Sequence, residues 1–235
     1  LELYKLTGNQ QRVAKVLCRL GMIYAGLGQW ELASQHLSQS REVRVRTHDQ
    51  QGVSESLFEL GRMQEKGGEI EDALESFKLS AEYARESSSI RRIMTSDVAL
   101  IRLYVRINRL PYAIQSAQEA RLIANNSMSH QFLAQEYEKW GREDAKQSLF
   151  DSAFFCFAEA IDVTFYASYP VHKYCQSMLK ELEQIVLNIN IQTSDQLSHQ
   201  VIEHWKNLSE PETRKYYLSE IQRELPAFQR IILEK

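Results

Sequence analysis

Apolar residues recur at steps of three and four along 14–27: Leu17, Leu20, Ile23, Tyr24 and Leu27. That spacing places them on one side of a helix and predicts an amphipathic α-helix. Gly28 interrupts the pattern, and a second periodic run passes through Trp30, Ala33 and Leu37. Glu31 falls in the first turn of this second helix, where a carboxylate complements the helix dipole. The equivalent positions further along are Glu71, Pro111 and Asp151, and proline is also accepted in a first turn. Polar connectors at 47–51, 87–89 and 125–129 separate successive pairs. Connections this short predict two antiparallel helices per unit.

The pattern repeats every 40 residues without insertion or deletion: Leu20, Leu60, Leu100 and Trp140 fall in register, as do Ala33, Ala73, Ala113 and Ala153. Gly21, Gly61 and Gly141 also align, with Ile101 in the third place. A fixed period of this size predicts an all-α fold of stacked helix pairs, an α-solenoid. Cut by period, residues 14–165 form four repeats, 14–53, 54–93, 94–133 and 134–165. Residues 1–13 align with 41–53 and read as the end of a truncated preceding repeat, which implies a fragment of a longer protein. Beyond 165 the landmarks fade. Residues 171–188 and 194–208 still read as helices, and Ser209-Glu210-Pro211-Glu212 has capping-box spacing for another. Residues 166–235 therefore read as a degenerate repeat and C-terminal capping helices.

The small residues at Gly21 and Ala33 let two helix backbones approach closely, with Leu37 and Trp30 filling space beside the crossing. The order Leu20-Gly21-x-x-Tyr24, Gly28, Ala33 and a bulky residue at 37 resembles the tetratricopeptide repeat. It recurs as Leu60-Gly61, Gly68, Ala73, Phe77 and as Trp140-Gly141, Ala153, Phe157, Ala160. The resemblance implies a right-handed superhelix whose first helices line a concave groove. Repeats of this length are similar to those of bacterial signalling receptors, peptide-pheromone receptors among them, and of eukaryotic polarity and spindle scaffolds. The third unit departs from the family pattern: Ile101 replaces the glycine, Ala117 replaces the bulky residue, and Asp97 stands where Leu17, Leu57 and Tyr137 are apolar. A gain of volume at Ile101 offset by a loss at Ala117 predicts that the two share one cluster. Asp97, if buried, requires an ion-pair or hydrogen-bond partner.

Composition narrows the functional classes. With 43% apolar and 25% charged residues the chain reads as folded, and 9 Gly and 4 Pro are too few for a many-stranded protein. Cys18, Cys156 and Cys175 have no metal-ligand spacing and read as reduced intracellular thiols, hence a cytoplasmic protein. No leader and no long apolar run is present, so no membrane span is expected. The six histidines are scattered, and no phosphate loop, nucleophile elbow or His-x-x-x-His pair occurs. No catalytic residue, metal or other cofactor is expected. A net charge of −3 argues against binding nucleic acid directly.

One charged constellation stands apart. In the first helix of repeats two, three and four the same two slots are basic: Arg62 with Lys66, Arg102 with Arg106, Arg142 with Lys146. Met22 and Gly26 occupy those slots in the first repeat. These slots resemble the groove-facing positions of the family, which implies three cationic rungs. Glu59 and Glu65 flank Arg62, and Glu138 precedes Arg142 by one turn, but Val98 and Ala99 stand near Arg102 where acids are absent. Arg102 and Arg106 are therefore the expected centre of a ligand stripe, with Phe58, Val98, Val105 and Met22 as apolar neighbours. Packed helices lie about 8–10 Å apart and an extended chain advances roughly 3.3 Å per residue, so a rung would meet a ligand about every third residue. The expected partner is an extended peptide or protein segment bearing acidic side chains or a terminal carboxylate. The competing expectation is an assembly or dimerisation scaffold acting through the outer face or the C-terminal helices, 228–233 included.

Overall fold

The structure, a computed structural model, describes residues 9–166 together with Met178, Lys180, Glu181, Gln184 and Ile185. The degenerate repeat and capping helices expected over 166–235 lie almost wholly outside the described residues, as does 1–8. Eight helices run through the described chain without a strand: α1 Gln10–Gly26, α2 Trp30–Arg46, α3 Gln50–Gly67, α4 Ile70–Glu86, α5 Ile90–Arg106, α6 Leu110–Ser127, α7 His130–Lys146 and α8 Phe150–Tyr166. First helices start at 10, 50, 90 and 130 and second helices at 30, 70, 110 and 150, so the sequence period is also the structural one. Each first helix begins four residues ahead of the boundaries 14, 54, 94 and 134 drawn from the landmarks. For α1 and α3 polar N-caps set the earlier start, Asn9 accepting from the Arg12 amide at 3.1 Å and Asp49 from the Gly52 amide at 2.9 Å, whereas Ser129 before α7 makes no side-chain cap.

The connectors share one geometry. Gly28, His48, Gly68, Ser88, Asn108, Met128 and Ser148 follow at steps of 20, and all have positive φ, between 53° and 84°. The amide after each reaches back to the carbonyl five residues earlier, as Gln29 to Tyr24 at 2.9 Å and Arg109 to Tyr104 at 2.7 Å. This is the Schellman closure, which satisfies the last carbonyls of one helix and turns the chain into the next. The polar stretch 125–129, expected as a connector, is shorter in fact, because α6 continues to Ser127. The first-turn groups are as read from sequence: Glu31, Glu71 and Asp151 in their helices, and a proline at the start of α6.

The chain divides into two compact units, 1–100 and 101–235, the division falling within α5. In the first unit α1 packs on α2, α2 on α3 and α3 on α4. A Cβ placed on Gly21 would come within 2.6 Å of Leu37, and one on Gly61 within 2.9 Å of Phe77, so the glycines set the crossing distance. Cys18, Ala33 and Leu37 of the first pair bury Met63 of the next. A polar seam runs beside this apolar core. Ser54 and Ser80 donate to each other's carbonyls at 2.7 and 2.8 Å, and Ser80 also meets Ser96 at 2.9 Å. Asp97 is buried and accepts two hydrogen bonds from Arg85 at 3.1 and 3.2 Å, the partner its burial demands.

In the second unit α7 packs on α8 and contacts α6. Gly141 repeats the close approach, with Phe157 3.1 Å from a Cβ placed there. Ile101 and Ala117 are both fully buried, so the third pair carries its bulk on the first helix instead of the second. Charge is buried too: Arg121 bonds Asp162 at 2.8 Å and Glu159 at 3.3 Å.

Candidate functional site

The predicted basic slots divide between the units, Arg62 and Lys66 on α3 in the first, the rest in the second. Each arginine of the first slot is met by a carboxylate. Arg62 pairs with Glu59 at 3.3 Å. Arg142 pairs with Glu138 at 2.7 Å and with Glu181 at 2.8 Å. Lys66 and Lys146 are exposed and Arg106 is half-buried.

Arg102 overturns the expectation placed on it. Its side chain is 1% exposed and paired with Asp144, itself 0% exposed. Asp144 also accepts from Ser152 Oγ at 2.7 Å, and the Arg102 guanidinium lies 4.1 Å from the Trp140 ring centroid. The acid absent from α5 arrives from α7, one repeat later, so the third rung has its relief after all. Arg102 is a buried structural ion pair and is not open to a ligand. Phe58 and Val98 are likewise buried, Phe58 against Phe77 with ring centroids 5.3 Å apart, and Val105 is buried in the second unit. Met22 is exposed, within a group of exposed apolar side chains that includes Ile23, Leu27, Trp30 and Leu32.

A site the slots did not reveal opens among the first helices of the first unit. A polar cleft of about 360 Å³ is lined by Gln11 and Lys15 of α1, Gly52 and Glu55 of α3 and Arg92 of α5, with Arg44 entering from the end of α2. Arg44 stands where the other repeats have Ala84, Ala124 and Thr164, all small and buried. Gly52 stands where they have Arg12, Arg92 and Phe132. A Cβ on Gly52 would run into the Asp49 carboxylate first and come 2.8 Å from Arg44 Cδ, so the missing side chain makes room for both the helix cap and the arginine. The Arg44 side chain is 1% exposed. One Nη donates to the Gly52 carbonyl and to Ser56 Oγ, and the other meets Glu55 at 2.8 Å. Its Nε is buried and has no hydrogen-bond partner among the described residues. Arg92 lies over the Phe58 ring at 5.2 Å, which holds its guanidinium beside the cleft.

The signal in the sequence was the register itself. An arginine in a column of alanines and a glycine in a column of large side chains, eight residues apart, mark a local exchange of bulk. Cys18 is a buried neighbour of this region. Burial pushes its thiol up to about 11, with Arg44 pulling the other way and Glu55 adding to the rise. Burial also pushes the Cys156 thiol well above its usual range, with Asp144 contributing. Among the described residues no group of three or more metal-binding side chains occurs, and no helix is long and apolar enough to cross a membrane.

With this geometry in place, residues 12–86 match the family profile of the tetratricopeptide repeat. The rest of the described chain continues their helix spacing. No curated protein matches the sequence. Among solved structures, the tetratricopeptide-like repeats of a putative kinesin light chain from Podosopora anserina share 15% identity, with a TM-score of 0.51 over 85% of this chain and 95% of that one. A signal transduction ATPase with numerous domains from Pyrococcus horikoshii, carrying a tetratricopeptide repeat sensor, shares 14% identity, with a TM-score of 0.53. That match covers 96% of this chain and 38% of the ATPase. These likenesses establish the tetratricopeptide-type fold.

Proposed function

We propose that this chain is a peptide- or protein-binding tetratricopeptide module, the ligand-sensing part of a larger regulator, and that it takes an extended acidic or carboxylate-bearing segment along its first helices. The observation that carries the reading is the polar cleft in the first unit, where side chains from three successive first helices converge. Lys66, Arg106, Arg142 and Lys146 remain candidate contacts, each within its own unit, and Met22 a candidate apolar contact. The Pyrococcus horikoshii ATPase supplies the precedent for this fold as a sensor within a longer chain.

The test is a titration of the purified chain with acidic peptides of about ten residues at two salt concentrations, followed by fluorescence anisotropy. Saturable binding that charge reversal at Lys66 or Lys146 weakens is expected. Equal, non-saturating signals from acidic and neutral peptides would sink the reading.

The alternative is an assembly module, favoured by a separate observation. Met22, Ile23, Leu27, Trp30 and Leu32 are all exposed around the connection from α1 to α2, Leu27 by 66%. One repeat later the slot of Ile23 is Met63, buried against the preceding pair. Light scattering on a Leu27→Ser, Trp30→Ser variant separates the two: a fall in oligomer mass with peptide binding intact favours assembly.

A further inference from the structure

We propose that Arg44 is the anion anchor of the first unit: its cleft binds a single carboxylate of a partner segment, received by Nε and flanked by Lys15 and Arg92. This deepens the peptide-binding reading and rests on it. Three observations converge. Arg44 is almost wholly buried, yet its Nε donor is unmatched, whereas both Nη groups are engaged. A buried donor without an acceptor forgoes the compensation that native structures give nearly every such group. The arginine is also not required by the repeat, since three other repeats fill the slot with alanine or threonine. Finally, the cleft it lines is polar and large enough for a side-chain carboxylate with ordered water.

Charge selects the ligand class. Lys15, Arg44 and Arg92 face Asp49 and Glu55 in this cleft, so three cations less two carboxylates leave one positive charge. Asp49 is committed to capping α3 through the Gly52 amide. Glu55 is held by one Arg44 Nη. One incoming carboxylate therefore brings the cleft to neutrality while giving Nε its acceptor. A glutamate, an aspartate or a chain terminus provides that group; a phosphate dianion overshoots the count.

The experiment uses the whole chain with two acetylated, amidated decapeptides, alternating Glu-Ala and alternating Gln-Ala. NMR follows the Arg44 Nε–H cross-peak together with backbone amides of the first helices, and anisotropy gives affinities. The Glu-Ala peptide is expected to shift the Arg44 Nε–H signal saturably and to bind at least about tenfold more tightly than the Gln-Ala peptide. Arg44→Lys keeps the charge and removes Nε, and is expected to lose that preference. Lys15→Ala lies on an exposed position of α1 and is expected to weaken Glu-Ala binding several-fold, which keeps the test open if the Arg44 variant folds poorly. An unmoved Arg44 signal, with both peptides shifting other first-helix amides equally, overturns the anchor and leaves the peptide-binding reading standing. No shifts from either peptide at millimolar concentration overturn both.

Discussion

Removing one member of the Arg102–Asp144 pair leaves a charge where water does not reach. Both side chains are buried, and Ser152 and the Trp140 ring complete their surroundings. Arg102→Ala or Asp144→Ala is therefore expected to destabilise the second unit by about 3–5 kcal/mol, while Arg102→Met with Asp144→Leu loses much less, because no orphan charge remains. Urea denaturation of the three variants checks this, and similar losses in all three would contradict it. Cys18 gives a pH dependence. Its thiol ionises near 9.0 when unprotected and near 11 in the fold, so in that window the unfolded chain binds fewer protons than the native one. The stability Cys18 contributes is present below pH 9 and lost as pH rises toward 11. Thermal melts of wild type and Cys18→Ala across that range should converge as this contribution disappears; parallel curves would refute it. Asp97 shows how far single residues were legible. A carboxylate in an apolar column announced its need for a partner, and Arg85 provides it. Arg102 misled because its partner lies 42 residues away, beyond the reach of any local pairing rule. The column offered a clue nonetheless, since Asp144 aligns with Tyr24, Gln64 and Tyr104.

At the level of helices the period was the most legible feature, because it reports where every helix must start and stop. What it hid was the turn chemistry. Five of the seven connector residues with positive φ are not glycine, and a side chain there costs roughly 1–2 kcal/mol. Met128, at φ 53° and 91% exposed, makes no compensating burial. Met128→Gly is expected to raise stability by about 0.5–1 kcal/mol, read as a higher thermal midpoint. A fall would show that the methionine does something its exposure does not reveal. The third helix pair tests the packing rule itself. In the other three pairs a glycine faces a large side chain sixteen residues on, as Gly61 faces Phe77, and here the sizes are reversed as Ile101 and Ala117. If the two positions share one volume, Ile101→Gly alone opens a cavity and costs about 3 kcal/mol or more. Adding Ala117→Leu should recover much of that loss in denaturation experiments. Simple additivity of the two changes would place them in separate environments.

For the whole molecule, a net charge of −3 means that no overall field draws an acidic segment in. Attraction has to be local, and the basic side chains are of two kinds. Lys66 and Lys146 stand in solvent, where their pull is screened as the Debye length falls from about 10 Å at 0.1 M salt to about 3 Å at 1 M. Arg44 is shielded from solvent, and a hydrogen bond to its Nε is far less exposed to screening. The two kinds of contact therefore separate on a salt axis. For the Glu-Ala decapeptide we expect affinity to fall less than about tenfold between 0.1 and 1 M salt in the wild type. Lys66→Ala, in the same unit as Arg44, should weaken binding at the low concentration and leave the high-salt value nearly unchanged. Arg44→Lys should do the reverse, losing most at high salt, where only the buried donor still holds the carboxylate. Anisotropy titrations at both concentrations decide the matter. Equal salt slopes in all variants would move the weight of recognition from the buried arginine to the exposed lysines.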